Sequence, residues 1–185
     1  MTRLSIAILC AFISSTPYRP PDPEPPLAVS IIQERQDIRA NSSRLPSVYT
    51  QAAIATRNRP ELLYAIAYAE SSNGANLAHS NPLDAGWFGL HERKDIRAER
   101  VGKWGWYDPD DPMQAATIAG RILSEHRANL SRRYPDKALD EIEALTITAY
   151  HKGLAWTVRH GVYSRYVRRV EEGKALALVE RRKER

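Results

Sequence analysis

From Ser71 to Pro112 the helical recurrence of apolar residues fails for about 40 residues, an interval rich in Gly, Asn, Pro and aromatic side chains. No other feature constrains the fold as much. On both sides of it, apolar residues return at steps of three and four, the signature of helices with one buried face. Leu27 to Ala40 and Val48 to Arg57 read as helices. Asn58 is placed to cap the next one and Pro60 to sit in its first turn, with the helix running from Glu61 to Glu70. Asp111-Pro112 opens a helix that continues towards Leu130, and Asp140 to His151 forms another, ended by Gly153. A last helix covers Tyr163 to about Arg182. The expectation is an all-α domain with an irregular loop or short hairpin set between helices. An irregular segment this long inside a compact domain usually carries function.

Export is written at the start of the chain. Met1-Thr-Arg supplies a positive end, Leu4 to Ile13 an apolar run, and Ser14, Ser15 and Thr16 small residues where cleavage can occur. Residues 1–16 therefore read as a signal peptide, directing the protein to the periplasm or outside the cell. A buried first helix or a membrane anchor is the alternative, although spanning needs about 20 apolar residues. Leu9 stands before Cys10 where a lipoprotein signal wants a small residue, which argues against lipidation. Residues 17–26 hold six prolines in ten positions and form a linker. The domain is assigned to residues 27–185.

Composition excludes little but orders the rest. With 43% hydrophobic and 26% charged residues, the 185-residue chain can bury a core and is not generally disordered. Its net charge of +5 favours polyanionic partners, whether nucleic acid, acidic lipid or the anionic bacterial wall. No aromatic-plus-basic motif points to nucleic acid. The single cysteine, Cys10, forbids an internal disulfide, and His79, His91, His126, His151 and His160 show no metal-ligand spacing. Neither a metal nor a cofactor is expected.

Glu70 stands out on physical grounds. Leu63, Ile66 and Glu70 succeed one another at steps of three and four, and so Glu70 belongs to the inward stripe of its helix. It is also the last residue before Ser-Ser-Asn-Gly ends that helix and opens the irregular interval. A carboxyl group partly withdrawn from water holds a proton more readily, the state that glycosidic cleavage demands of its acid. The plain alternative is a surface or capping glutamate. Capping explains little, since a carboxylate is a poor partner for a helix C-terminus.

Three blocks give this carboxylate a context. Ala65-Ile-Ala-Tyr-Ala-Glu70-Ser-Ser is an apolar helix ending in Glu-Ser. Gly86-Trp-Phe-Gly-Leu-His-Glu92 is similar to a Gly-Ala-x-Gly-Leu-Met-Gln motif, and Leu145-Thr-Ile-Thr-Ala-Tyr-His-Lys-Gly153 to an Ala-Tyr-Asn-x-Gly motif. Asp111 through Leu123 and Tyr163 through Val170 echo two further helices in the same order. Over residues 60–170 the chain resembles the soluble lytic transglycosylases, whose domain is lysozyme-like. That resemblance implies cleavage of the β-1,4 bond between MurNAc and GlcNAc in peptidoglycan strands, by a monomer that needs no cofactor. Glu70 would be the sole acid and base, forming a 1,6-anhydro sugar. Ser71 would position substrate or support Glu70, and Tyr150 would face Glu70 and the sugar. The small size resembles transglycosylases that open the wall for secretion systems, flagella or phage.

The sequence departs from the family pattern at several positions. The motif glutamine falls on Glu92, or on Gly89 in a second register; His151 replaces an asparagine, and Ala115 another. Glu92, Gly89 and His151 are nevertheless placed among the sugar-binding residues. Trp87, Trp104 and Trp106 join them as flat surfaces on which sugar rings stack, with anchoring of the loop as the plainer role. Asp84, Asp95 or Glu92 could instead activate water, giving a hydrolase on the same fold, including a phage endolysin. A non-catalytic glycan-binding module is the reading from a different class.

Overall fold

The computed structural model describes residues 47–183. The expected signal peptide, the Pro-rich linker and the expected helix over Leu27 to Ala40 lie outside the described residues. Within them the fold is all-α: α1 (Ser47–Thr56), α2 (Pro60–Ser71), a two-stranded hairpin of β1 (Asp84–Ala85) and β2 (Leu90–His91), α3 (Lys94–Trp104), α4 (Pro112–Arg133), α5 (Leu139–Lys152), α6 (Leu154–His160) and α7 (Ser164–Lys183). The strands pair antiparallel, Asp84 opposite His91 and Ala85 opposite Leu90. No described helix is long and apolar enough to cross a membrane.

Helix α2 is the centre of the molecule. Leu62, Leu63, Ala65, Ile66, Ala67 and Ala69 are all buried, so it is enclosed on most sides rather than along one stripe. Helix α7 lies along it, burying Tyr166, Val170, Gly173 and Ala177 at steps of four, three and four. The two backbones approach closely at Gly173, where a Cβ would stand 2.9 Å from the Ala65 Cα. A glycine inside a helix costs about 1 kcal/mol relative to alanine, and this approach explains its presence. A similar contact joins α1 to α4, with Gly120 facing the Thr56 side chain.

Asn58 corrects one sequence expectation. The residue at the N-cap of α2 is Arg59, and it makes no side-chain cap bond. Asn58 instead points inward, with 1% of its surface exposed. Its amide donates to the Gly120 carbonyl at 2.8 Å and approaches Ser124 Oγ at 3.0 Å, while its carbonyl accepts from Arg127 at 2.9 Å. The asparagine thus ties α4 to the α1–α2 junction. Asp111 does cap α4, accepting from the Gln114 backbone at 2.8 Å.

The irregular interval is shorter than its sequence suggests, because α3 occupies part of it. That helix buries no residue completely; its large apolar residues Ile96, Val101 and Trp104 are half-buried, and six of the other eight residues are charged. Its apolar stripe is too thin to register as a period. Charges fasten it, Arg97 pairing with Glu92 at 2.5 Å and Lys103 with Glu125 of α4 at 2.6 Å. Gly153 ends α5 as expected, at φ 84°, and the short α6 follows directly.

One half-buried group makes stability depend on pH. His126 of α4 keeps its Nδ1 out of water with no partner among the described residues, and burial holds its basicity below the ordinary value. The unfolded chain therefore binds a proton more readily than the fold does. Stability from this site is complete above pH about 6.5 and declines on acidification below it. Thermal melts of His126→Leu should lose less Tm between neutral and mildly acidic pH than those of the wild type. Parallel slopes would rule out this contribution.

Candidate active site

The end of α2 is set by backbone conformation. Ser72 and Asn73 both take left-handed angles, at φ 52° and 57°, and their amides bond back to the Tyr68 and Ala67 carbonyls. The chain turns away just after Glu70 and leaves its carboxylate facing α5, α7 and the hairpin turn. The Glu70 side chain is 16% exposed, enclosed yet reachable.

Three groups surround that carboxylate. Tyr166 of α7 donates its hydroxyl to Oε1 in a short hydrogen bond. His151 of α5 brings Nδ1 to 3.8 Å from the same oxygen. Gly89 covers the other oxygen: at φ 56°, a Cβ there would stand 2.7 Å from Oε2. Only glycine lets the turn lie this close to the acid. The His151 ring stacks parallel to Tyr166 at 4.1 Å and to Tyr163 at 5.8 Å, so the aromatic layer holds the imidazole at the mouth of the site.

The turn bearing Gly89 is clamped from both sides. Tyr150 donates its hydroxyl to the Phe88 carbonyl at 2.7 Å. Ser71 donates to the Trp87 carbonyl at 2.7 Å and accepts from the Gly74 amide at 2.8 Å. Ser71 is 1% exposed, so its hydroxyl supports the loop over Glu70 and has no face free for substrate. Trp87 lies half-buried against Gly74. Phe88 is buried in the core and anchors the turn between them.

Burial, reinforced by the Glu70 charge, pushes both Tyr150 and Tyr166 well above the ordinary phenol range. Both stay protonated, so Tyr166 is a permanent donor to Glu70. With Glu70 as an acid and base, removing that donor in Tyr166→Phe should lower kcat about tenfold to a hundredfold, the value of a hydrogen bond to a charged group. Tm should change little, because the ring still fills its place. An unchanged kcat would show that the bond does not serve the reaction.

The other sequence candidates are distributed differently. Glu92 is 12% exposed and engaged by Arg97 at 2.5 Å, Arg100 at 3.7 Å and the Tyr107 hydroxyl at 2.7 Å. It locks the hairpin to α3 and its following loop rather than adding a free carboxylate to a groove. Asp84 bonds His91 across the hairpin at 2.7 Å and accepts from Asn81, three residues before it, at 2.9 Å. Asp95 is at the surface, where hydrogen bonding to Arg93 holds its carboxyl below the usual range. Trp106 is 71% exposed, and Trp104 is half-buried beside α4, where Arg121 donates to its carbonyl. Ala115 is enclosed in the core. Among the described residues no group of three or more His, Cys, Asp or Glu side chains could hold a metal.

Sequence reasoning passed over Tyr166. Its signal was available: it falls on the buried stripe of α7, and a buried phenol requires a polar partner. The site thus unites Glu70, Gly89, Tyr150, His151 and Tyr166, with Ser71 and Trp87 behind the loop. No family model, curated protein or solved structure matches the chain.

Proposed function

We propose that the protein is a peptidoglycan lytic transglycosylase, with Glu70 as its single acid and base. The observation that carries this is the setting of one carboxylate at the end of a core helix, oriented by Tyr166 and covered by Gly89. The resemblance of the three sequence blocks to that family, and to its lysozyme-like domain, supports the same reaction. Exposure of the protein to the wall, by the export signal read from residues 1–16, is part of the proposal.

In this reaction Glu70 gives its proton to the oxygen leaving C1 of the muramic acid as the glycosidic bond breaks. The resulting carboxylate then takes the proton of the C6 hydroxyl of the same sugar. O6 bonds to C1, closing a 1,6-anhydro ring and restoring protonated Glu70. No water is consumed. Tyr166 donates to the carboxylate and so steadies it between the two transfers. His151, one-third exposed beside Oε1, lies where it can meet the sugar. A hydrolase on this framework would need a second carboxylate near the site to activate water. Glu92, Asp84 and Asp95 are each engaged by other residues, which favours the intramolecular route.

The test is incubation of purified peptidoglycan with the protein, following release of soluble fragments. The wild type should release them, and an undigested wall in the presence of folded wild type would refute the proposal.

A further inference from the structure

A second concave surface lies away from Glu70. A groove of about 440 Å³ is bounded by the end of α1, the end of α3 and the middle of α4. Its Thr56 and Arg57 precede the start of α2, whereas Glu70 stands at the far end of that helix, whose 12 residues span about 18 Å. Arg57, Lys103, Arg121 and Arg132 line it against a single carboxylate, Glu125, and Trp104 contributes an aromatic surface.

Most of these charges are already occupied. Lys103 pairs with Glu125 at 2.6 Å, Arg121 donates to the Trp104 carbonyl at 3.0 Å, and Arg132 donates to Asn129 at 2.7 Å. Arg57 differs. Its guanidinium is exposed and makes no hydrogen bond or ion pair among the described residues. Its backbone is left-handed, at φ 54°, just past the last residue of α1. Glycine is the favoured residue at such a position, since a side chain there is strained. That conformation closes α1, with the Arg57 carbonyl accepting from Arg127 at 3.4 Å and the Asn58 amide bonding back to Ala53, while the guanidinium is left, among the described residues, to meet a ligand.

We propose that this groove binds the carboxylates of peptidoglycan peptide stems, anchoring the protein to the wall apart from the cleavage site. An arginine fork matches a carboxylate, and the Trp104 face suits the aliphatic part of a short peptide. The groove is too small for a nucleic-acid duplex, and Glu125 within it disfavours a dense polyanion. The assignment rests on the wall being the substrate.

The test uses the full chain carrying Glu70→Gln and a synthetic sugar-free tetrapeptide stem, with binding followed by NMR. The stem should perturb the Trp104 indole, and Arg57→Gln should weaken binding about tenfold, as expected for one charge-assisted hydrogen bond. A stem with its carboxylates amidated should not bind. No perturbation, equal binding by Arg57→Gln, or perturbations confined to the Glu70 end would overturn the proposal. Inorganic phosphate binding as tightly as the stem would also overturn it, by showing a general anion site. With active protein, Arg57→Gln should cleave stem-free glycan at the wild-type rate and whole wall several-fold more slowly. Failure of the wild type on both substrates would instead refute glycan cleavage, whatever the stem binds.

Discussion

Glu70→Gln should reduce the release of soluble wall fragments by about a thousandfold, within the range that general acid–base catalysis supplies. Glutamine keeps the shape of the side chain but has no acidic proton to give and cannot take one from the C6 hydroxyl. The structure makes this a clean substitution. Its amide oxygen can still accept from Tyr166, and among the described residues the carboxylate it replaces makes no other hydrogen bond, His151 standing 3.8 Å away. Stability should therefore change by about 1 kcal/mol, the difference between a charge-assisted and a neutral hydrogen bond, and a near-normal melt would separate lost chemistry from lost fold. The non-catalytic alternative makes the opposite prediction. A pure glycan-binding module would keep its function in Glu70→Gln.

Gly173→Val should be the most damaging of the structural substitutions. The Cβ alone would meet the Ala65 Cα at 2.9 Å and its carbonyl oxygen at 3.1 Å. Those atoms belong to the backbone of the buried central helix and cannot swing aside as a side-chain tip would. Valine then adds two methyl groups, so α7 must move away from α2. Overpacking of this kind costs about 3 kcal/mol, or a Tm about 10 °C lower for a chain of this size. Activity should fall further than stability alone explains, because α7 also carries Tyr166 to Glu70. Gly173→Ala should be milder, with the gain in helix propensity offsetting part of the clash. A valine variant that melts like the wild type would mean that the helices are not packed this closely.

The helices with a strong apolar stripe were legible in the sequence, and so was the half-enclosed carboxylate at the end of α2. Helices α2, α5 and α7 fall within one residue of their expected limits, and α4 runs three residues past Leu130. Helix α3 was not legible, since half-buried Ile96, Val101 and Trp104 among charged residues leave almost no periodic signal. Asn58 misled for a different reason. Its preference for helix starts is local, whereas the groups that claim its side chain come from Gly120, Ser124 and Arg127, more than 60 residues on. Glu92 shows the same limit: its type and motif position suggested a free carboxylate, and only folding brings Arg97, Arg100 and Tyr107 around it. Glu70 was accessible because helix period and helix end are both local properties. Gly89 was named from its motif position, but its closeness to the carboxylate and the bond from Tyr166 are tertiary and had no local signal.

The most direct measurement is mass spectrometry of the fragments released from peptidoglycan by the wild type in water enriched with heavy oxygen. Intramolecular closure on Glu70 predicts 1,6-anhydro ends, one water lighter than hydrolysed ends and free of the label. Labelled reducing ends would contradict it, since a water molecule would then have completed the reaction.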